Sequence, residues 1–207
     1  MQYLLGDGLL VAPVVDENAT SRSVHFPGDD GESWVDYWAN TTASHKGGST
    51  ATVAAPLTTL PLFQRKGSVV PMIDLDDATV LVLKTHDDGT PHRGTVYDDD
   101  GISTNAELHG EYFNMHTETR CESGTTLTVR VEHAAWTPVW THVRWEVAGL
   151  SVERWETLRC GDVDLPRVAN GEVVGAVGGW SVVEGKATVV VPMTIAAGWE
   201  MSCAVVQ

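Results

Sequence analysis

APLTTLPLFQRKGSVVPM, residues 55–72, is punctuated by Pro56, Pro61 and Pro71. Proline has no N–H for a sheet ladder, so each is expected at a strand entry, an edge or a bulge, with short strands between them. Arg65-Lys66 leads into Gly67-Ser68, a turn pair, and the β-branched run Val69-Val70 follows. The expectation is strand, tight turn, strand: one hairpin of a β-sandwich.

Twenty glycines and nine prolines in 207 residues, with few long helical patterns, extend that expectation to an all-β chain. Hydrophobic residues make up 43%, enough to bury a core. Thirteen basic residues against 28 acidic ones give a net charge of −15, which argues against nucleic acid or an anionic membrane as partner. No apolar run approaches the ~20 residues of a membrane span. Cys121, Cys160 and Cys203 allow one bridge at most, and no Cys-x-x-Cys is present for zinc or redox work. The eight histidines are scattered without ligand spacing, so neither metal nor cofactor is expected. The N-terminus lacks a basic segment and a cleavage site, and reads as the middle of a protein.

Gln2–Val15, QYLLGDGLLVAPVV, is an apolar run that suits strands buried on both faces, broken at Gly6-Asp7-Gly8. Asn18 and Asn40 head N-glycosylation sequons. Along Trp34-Val35-Asp36-Tyr37-Trp38 an extended strand would place Trp34 and Trp38 on one face. Such indoles, with Trp136 and Trp140, suit either a sugar-stacking platform or a sandwich core, and core is the better reading. Thr41–Thr52 reads as a Gly/Ser/Thr loop, and Asp74–Asp77 as a linker. Val80–Leu83 and Gly94–Tyr97 read as strands, and Asp98-Asp99-Asp100-Gly101 as a hairpin turn. An EF-hand fails there, because its first position would be Val96 and no helix flanks it. Further on, Leu127, Val129 and Val131 alternate with polar residues, as do Val139, Thr141, Val143, Trp145 and Val147 on a longer strand. Val152–Leu158 reads as a strand, Gly171–Gly185 as glycine-rich hairpin material, and Thr188–Pro192 and Trp199–Val206 as closing strands.

The 55–72 stretch resembles the segment that follows the catalytic barrel in α-glucosidases of glycoside hydrolase family 31. Gln2–Val15 resembles the join between the last barrel strand and the first C-terminal β-domain. Tyr97–Ser103 is similar to the Asp-Asp-Gly turn of the distal domain. The resemblance implies the end of a barrel strand at 1–8, a proximal antiparallel β-sandwich at 9–77 and a distal β-domain at 78–207. Gln2–Asp7 and Trp136-Thr137-Pro138-Val139-Trp140 are similar to the glucosidase II branch. That branch implies trimming of terminal α-linked glucose from N-glycans in the endoplasmic reticulum, with a lectin-bearing β-subunit as partner. A lysosomal or secreted α-glucosidase, or an α-xylosidase, stays open.

Retaining glycoside hydrolysis needs a nucleophile and an acid/base about 5–5.5 Å apart. The family's motifs for both are missing here: Gly6-Asp7 lacks the asparagine that should follow, and Gly161-Asp162 lies in a late loop before Val163. No catalytic residue carries over. The expectation is a non-catalytic part of an α-glucosidase that scaffolds the barrel; the alternative is a carbohydrate-binding sandwich.

Overall fold

The computed structural model describes residues 1–39, 43–86, 90–120, 125–149, 157–168, 178–183 and 186–206. Asn40, Asp87-Asp88-Gly89, Cys121, most of Val152–Leu158 and most of Gly171–Gly185 lie outside them. Among the described residues the chain is almost entirely β, with one four-residue helix.

The first seven strands are β1 (Tyr3–Leu5), β2 (Leu9–Val11), β3 (Ser21–His25), β4 (Ser33–Asp36), β5 (Ser44–Lys46), β6 (Thr50–Ala54) and β7 (Leu62–Arg65). They form a five-stranded antiparallel sheet in the order β1-β2-β7-β4-β5, with β3 and β6 as a separate pair. Alternation sends Val24 and Phe26 inward to meet Leu10, Ala12, Trp34 and Phe63. The region read as a loop at 41–52 therefore holds two short strands, turned at Gly47-Gly48. A Cβ on Gly47 would lie 2.4 Å from the Asp29 carbonyl, so only glycine fits there.

The remaining strands are β8 (Val70–Ile73), β9 (Val80–His86), β10 (His92–Asp98), β11 (Phe113–Arg120), β12 (Thr126–Ala134), β13 (His142–Ala148), β14 (Thr157–Cys160), β15 (Val163–Leu165), β16 (Gly179–Val183), β17 (Lys186–Pro192) and β18 (Glu200–Val206); helix α1 (Ala106–His109) lies between β10 and β11. A six-stranded sheet, β10-β11-β12-β18-β14-β15, faces a five-stranded sheet, β16-β17-β13-β9-β8. Leu127, Val129, Val131, Phe113 and Met115 from the first meet Leu83, Val143, Trp145, Val147 and Val189 from the second in one core. Strands β9 and β13 run parallel, the one departure from antiparallel pairing among these sheets. Interior strand β9 is buried along both faces, in keeping with the apolar run Val80–Leu83 at its start.

The 55–72 stretch is not one hairpin. Strand β7 pairs with β2 and β4, whereas β8 pairs with β9 in a different sheet. The Lys66-Gly67-Ser68 turn, with Gly67 at φ 82°, carries the chain from one sandwich to the other. Fully buried Gln64 anchors this crossing, its amide donating to the carbonyls of Ser68 (3.0 Å) and Lys84 (3.1 Å). The Lys84 ammonium donates to the Tyr37 carbonyl and sits 3.7 Å from the centroid of that ring. Burial pulls the lysine below its usual range, and pushes the Tyr37 phenol up to about 12. A boundary at residue 77 falls between two paired strands of one sheet, while Tyr3–Leu5 belongs to the first sheet.

Cys160 and Cys203 are opposite each other on β14 and β18 and form a disulfide, Cα atoms 4.0 Å apart. The composition left that pairing open. The 139–147 strand starts later than its alternation suggests, at His142; Val139 is exposed and Trp140 turns into the core instead, edge-on to Phe113 at 5.0 Å.

Candidate functional site

The four tryptophans considered for sugar stacking do not form one platform. Trp34 is fully buried, its indole N–H donating to the Pro27 carbonyl (2.9 Å). Trp140 is buried as well, and Trp136 is half-buried with its N–H on Asp98 Oδ2 (3.3 Å). Only Trp38 of the four is exposed. It does not share a face with Trp34, because the strand ends at Asp36, whose carboxylate accepts the backbone N–H groups of Trp38 and Ala39.

The two Gly-Asp pairs are equally separate. Asp7 sits in the exposed turn between β1 and β2, and Asp162 in the exposed turn between β14 and β15 of another sheet. In the acidic loop after β10, Asp99 accepts the N–H of Gly101 (2.8 Å), and Asp100 accepts those of Ile102 and Ser103. The Ser103 hydroxyl on Asp100, followed by those backbone bonds, holds that carboxyl below the usual range. One oxygen of Asp99 and both of Asp100 thus serve the loop's own turns, and no metal-ligand group of His, Cys, Asp and Glu is found among the described residues. Asn18 of the first sequon is exposed at a turn tip, with φ 59°.

Two surfaces that sequence reasoning missed stand out. First, β1 is exposed along its length: Tyr3, Leu4 and Leu5 are 49%, 46% and 60% accessible at the edge of the first sheet. The run was expected to be buried on both faces; among the described residues nothing covers the outer strand. Beside it opens a groove of about 960 Å³ between the β1–β2 turn and the polar face of the six-stranded sheet, lined by Leu5, Asp7, Pro71, Arg93, Arg130 and Glu200. An apolar sheet edge of this kind leaves unpaired backbone groups with which further chain can pair.

Second, three rings from three segments stack across the outer face of the six-stranded sheet. Tyr97 lies 5.5 Å from Tyr112 with planes 19° apart, and Tyr112 lies 4.2 Å from His133. A bulge at Asn114/Met115 makes this possible. It leaves Glu132 unopposed and turns His133 to the outer face, opposite Asn114. Strict alternation from Leu127 would have sent His133 inward. The Tyr97 hydroxyl donates to Asp99 Oδ2 (2.9 Å), and loss of water contact followed by that bond pushes the phenol up to about 12.

The comparisons agree with this architecture. Residues 1–70 match the Glycosyl hydrolase family 31 C-terminal domain. A 1,6-alpha-glucosyltransferase of Sporosarcina globispora is 33% identical over 147 residues, covering 66% of this chain and 11% of that protein. A glycoside hydrolase family 31 dextranase of Flavobacterium johnsoniae, solved with glucose, superposes on the whole chain with a TM-score of 0.78 at 24% identity, and the match covers 26% of that chain. A glucosidase II alpha subunit superposes with a TM-score of 0.60 at 21% identity, covering all of this chain and 24% of that one. The chain therefore spans a small fraction of the proteins it matches. Residues 1–70 thus resemble a glycosyl hydrolase family 31 C-terminal domain, and the proteins similar over a longer stretch of the chain include a 1,6-alpha-glucosyltransferase and an α-glucosidase.

Proposed function

We propose that this chain is the non-catalytic C-terminal β region of a retaining α-glucosidase that hydrolyses terminal α-linked glucose. Its role is to scaffold the catalytic barrel of a longer parent chain. The observation that carries the proposal is the exposed apolar edge Tyr3-Leu4-Leu5, with the groove beside it. Residues 1–8 would lead out of the barrel, and two β units would follow. The β8–β9 pairing favours a junction at the Lys66–Val69 turn over one at residue 77.

Trimming of N-glycans in the endoplasmic reticulum alongside a lectin-bearing β-subunit is the finer form of the proposal. Its support is the motif resemblance at 2–7 and 136–140 and the likeness to the glucosidase II alpha subunit. Exposed Asn18 and the Cys160–Cys203 bridge fit an oxidising, glycosylating compartment.

The test is an assay of the 207-residue chain against 4-nitrophenyl α-glucoside and maltose. No turnover is expected from the chain, while the full-length parent hydrolyses both. Hydrolysis by the chain itself would overturn the proposal.

A further inference from the structure

The ring stack on the six-stranded sheet ends in an open face. Strand β10 is the edge of that sheet, and Tyr97 on it is 47% exposed although one side of its ring meets Tyr112. Stacking on Tyr112 uses one face of the ring, and nearly half of the residue stays open to solvent. The stack is held in place by polar anchors: Tyr97 hydroxyl on Asp99, His133 Nε2 with the Gly110 carbonyl (2.8 Å), and the Trp136 N–H on Asp98. A rigid ring costs little further ordering when a ligand settles on it.

We propose that the open face of Tyr97, with the Asp99 carboxylate at the hydroxyl end of the ring, binds one glucosyl unit of a neutral glucan. The C–H face of a glucopyranose is apolar and flat enough to lie on a phenol ring. Its equatorial hydroxyls are donors, and hydrogen bonds to ionised carboxylates are the stronger kind. The local carboxylates and the net charge of −15 repel phosphorylated or otherwise anionic sugars. The choice of a glucan rests on the α-glucosidase reading; the site itself rests on the rings. One ring face supports weak binding, with a dissociation constant on the order of 1–10 mM.

The experiment is saturation-transfer NMR on the 207-residue chain with maltotriose, cellotriose and free arginine as probes. Transfer to glucosyl protons of maltotriose is expected, weakened about tenfold or more in Tyr97→Ala and kept in Tyr97→Phe. Tyr97→Leu retains the bulk without a flat ring, and should lose binding like the alanine variant while remaining folded by thermal unfolding. Equal transfer in wild type and Tyr97→Leu, or no transfer to either glucan, sinks the site and leaves the α-glucosidase reading untouched. Saturation by arginine that displaces the glucans also overturns it, marking a cation site instead. Tyr97-dependent binding of cellotriose alone upholds the ring-face site and counts against the α-glucosidase reading.

Discussion

Trp145→Ala is expected to remove about 3–5 kcal/mol of stability, a large share of the 5–15 kcal/mol typical of a domain. Trp145 is fully buried on β13, the strand between parallel β9 and antiparallel β17, with Leu83 and Val189 as its register partners. Truncation would leave an indole-sized void between two sheets whose other residues are fixed by their ladders, so the site cannot collapse. The indole N–H, moreover, is buried without an acceptor among the described residues. Trp145→Phe removes that unsatisfied donor along with some volume, and should cost less than about 2 kcal/mol. Urea unfolding followed by circular dichroism reads both. Equal losses for the two variants would mean that packing volume at this position is not what matters.

Gly94→Ala is expected to cost about 2–4 kcal/mol, far more than one methyl group on an exposed strand edge. A Cβ built on Gly94 would lie 2.5 Å from the Val69 carbonyl oxygen and 2.9 Å from the Val69 Cβ. Backbone atoms cannot swing aside as a flexible side-chain end would. Here the connector between the sandwiches lies against β10: the Val69 N–H donates to the Arg93 carbonyl (2.8 Å), and the Arg93 N–H to that of Gly67 (2.9 Å). Alanine would push the two segments apart and weaken both bonds. Gly101→Ala is the control: its φ is 66° but nothing lies within 4 Å, so only the strain of a left-handed alanine, about 1–2 kcal/mol, is expected. Thermal midpoints of the two variants should differ in that order. A Gly94→Ala midpoint at or above that of Gly101→Ala would show that the connector is not packed as described.

Where a pattern was local, the sequence was readable. Period-two alternation at Leu127, Val129 and Val131 named one face of the core, and the run Val80–Leu83 named a strand. Misreadings came where one residue changes the register. The Asp36 carboxylate ends β4 and detaches Trp38 from Trp34; the Thr137–Thr141 segment shifts the start of β13 and swaps the fates of Val139 and Trp140. Pro61 and Gly67 correctly marked strand ends, whereas Pro71 falls inside β8, an edge strand where a missing donor is tolerated; nothing in their spacing says whether a turn joins two strands of one sheet or two different sheets. That is settled by tertiary contacts such as those of Gln64.

The candidate surfaces were less legible still, for the same reason. Tyr97, Tyr112 and His133 are separated by 15 and 21 positions, and only a bulge brings the third ring to the face of the others. The β1 edge, by contrast, carries the apolar composition of a buried strand. Its exposure is visible only once the sheet order makes it the outer member.

The scaffold account is tested most directly by thermal unfolding of the full-length parent enzyme carrying Leu4→Asp and Leu5→Asp, alongside the 207-residue chain with the same changes. In the chain alone both side chains are exposed, so the midpoint should move by no more than about 2 °C. In the parent the two carboxylates would be forced against the barrel, and a drop on the order of 5–10 °C is predicted, with loss of soluble enzyme. An unchanged midpoint and unchanged turnover in the parent would contradict the scaffold role of this edge.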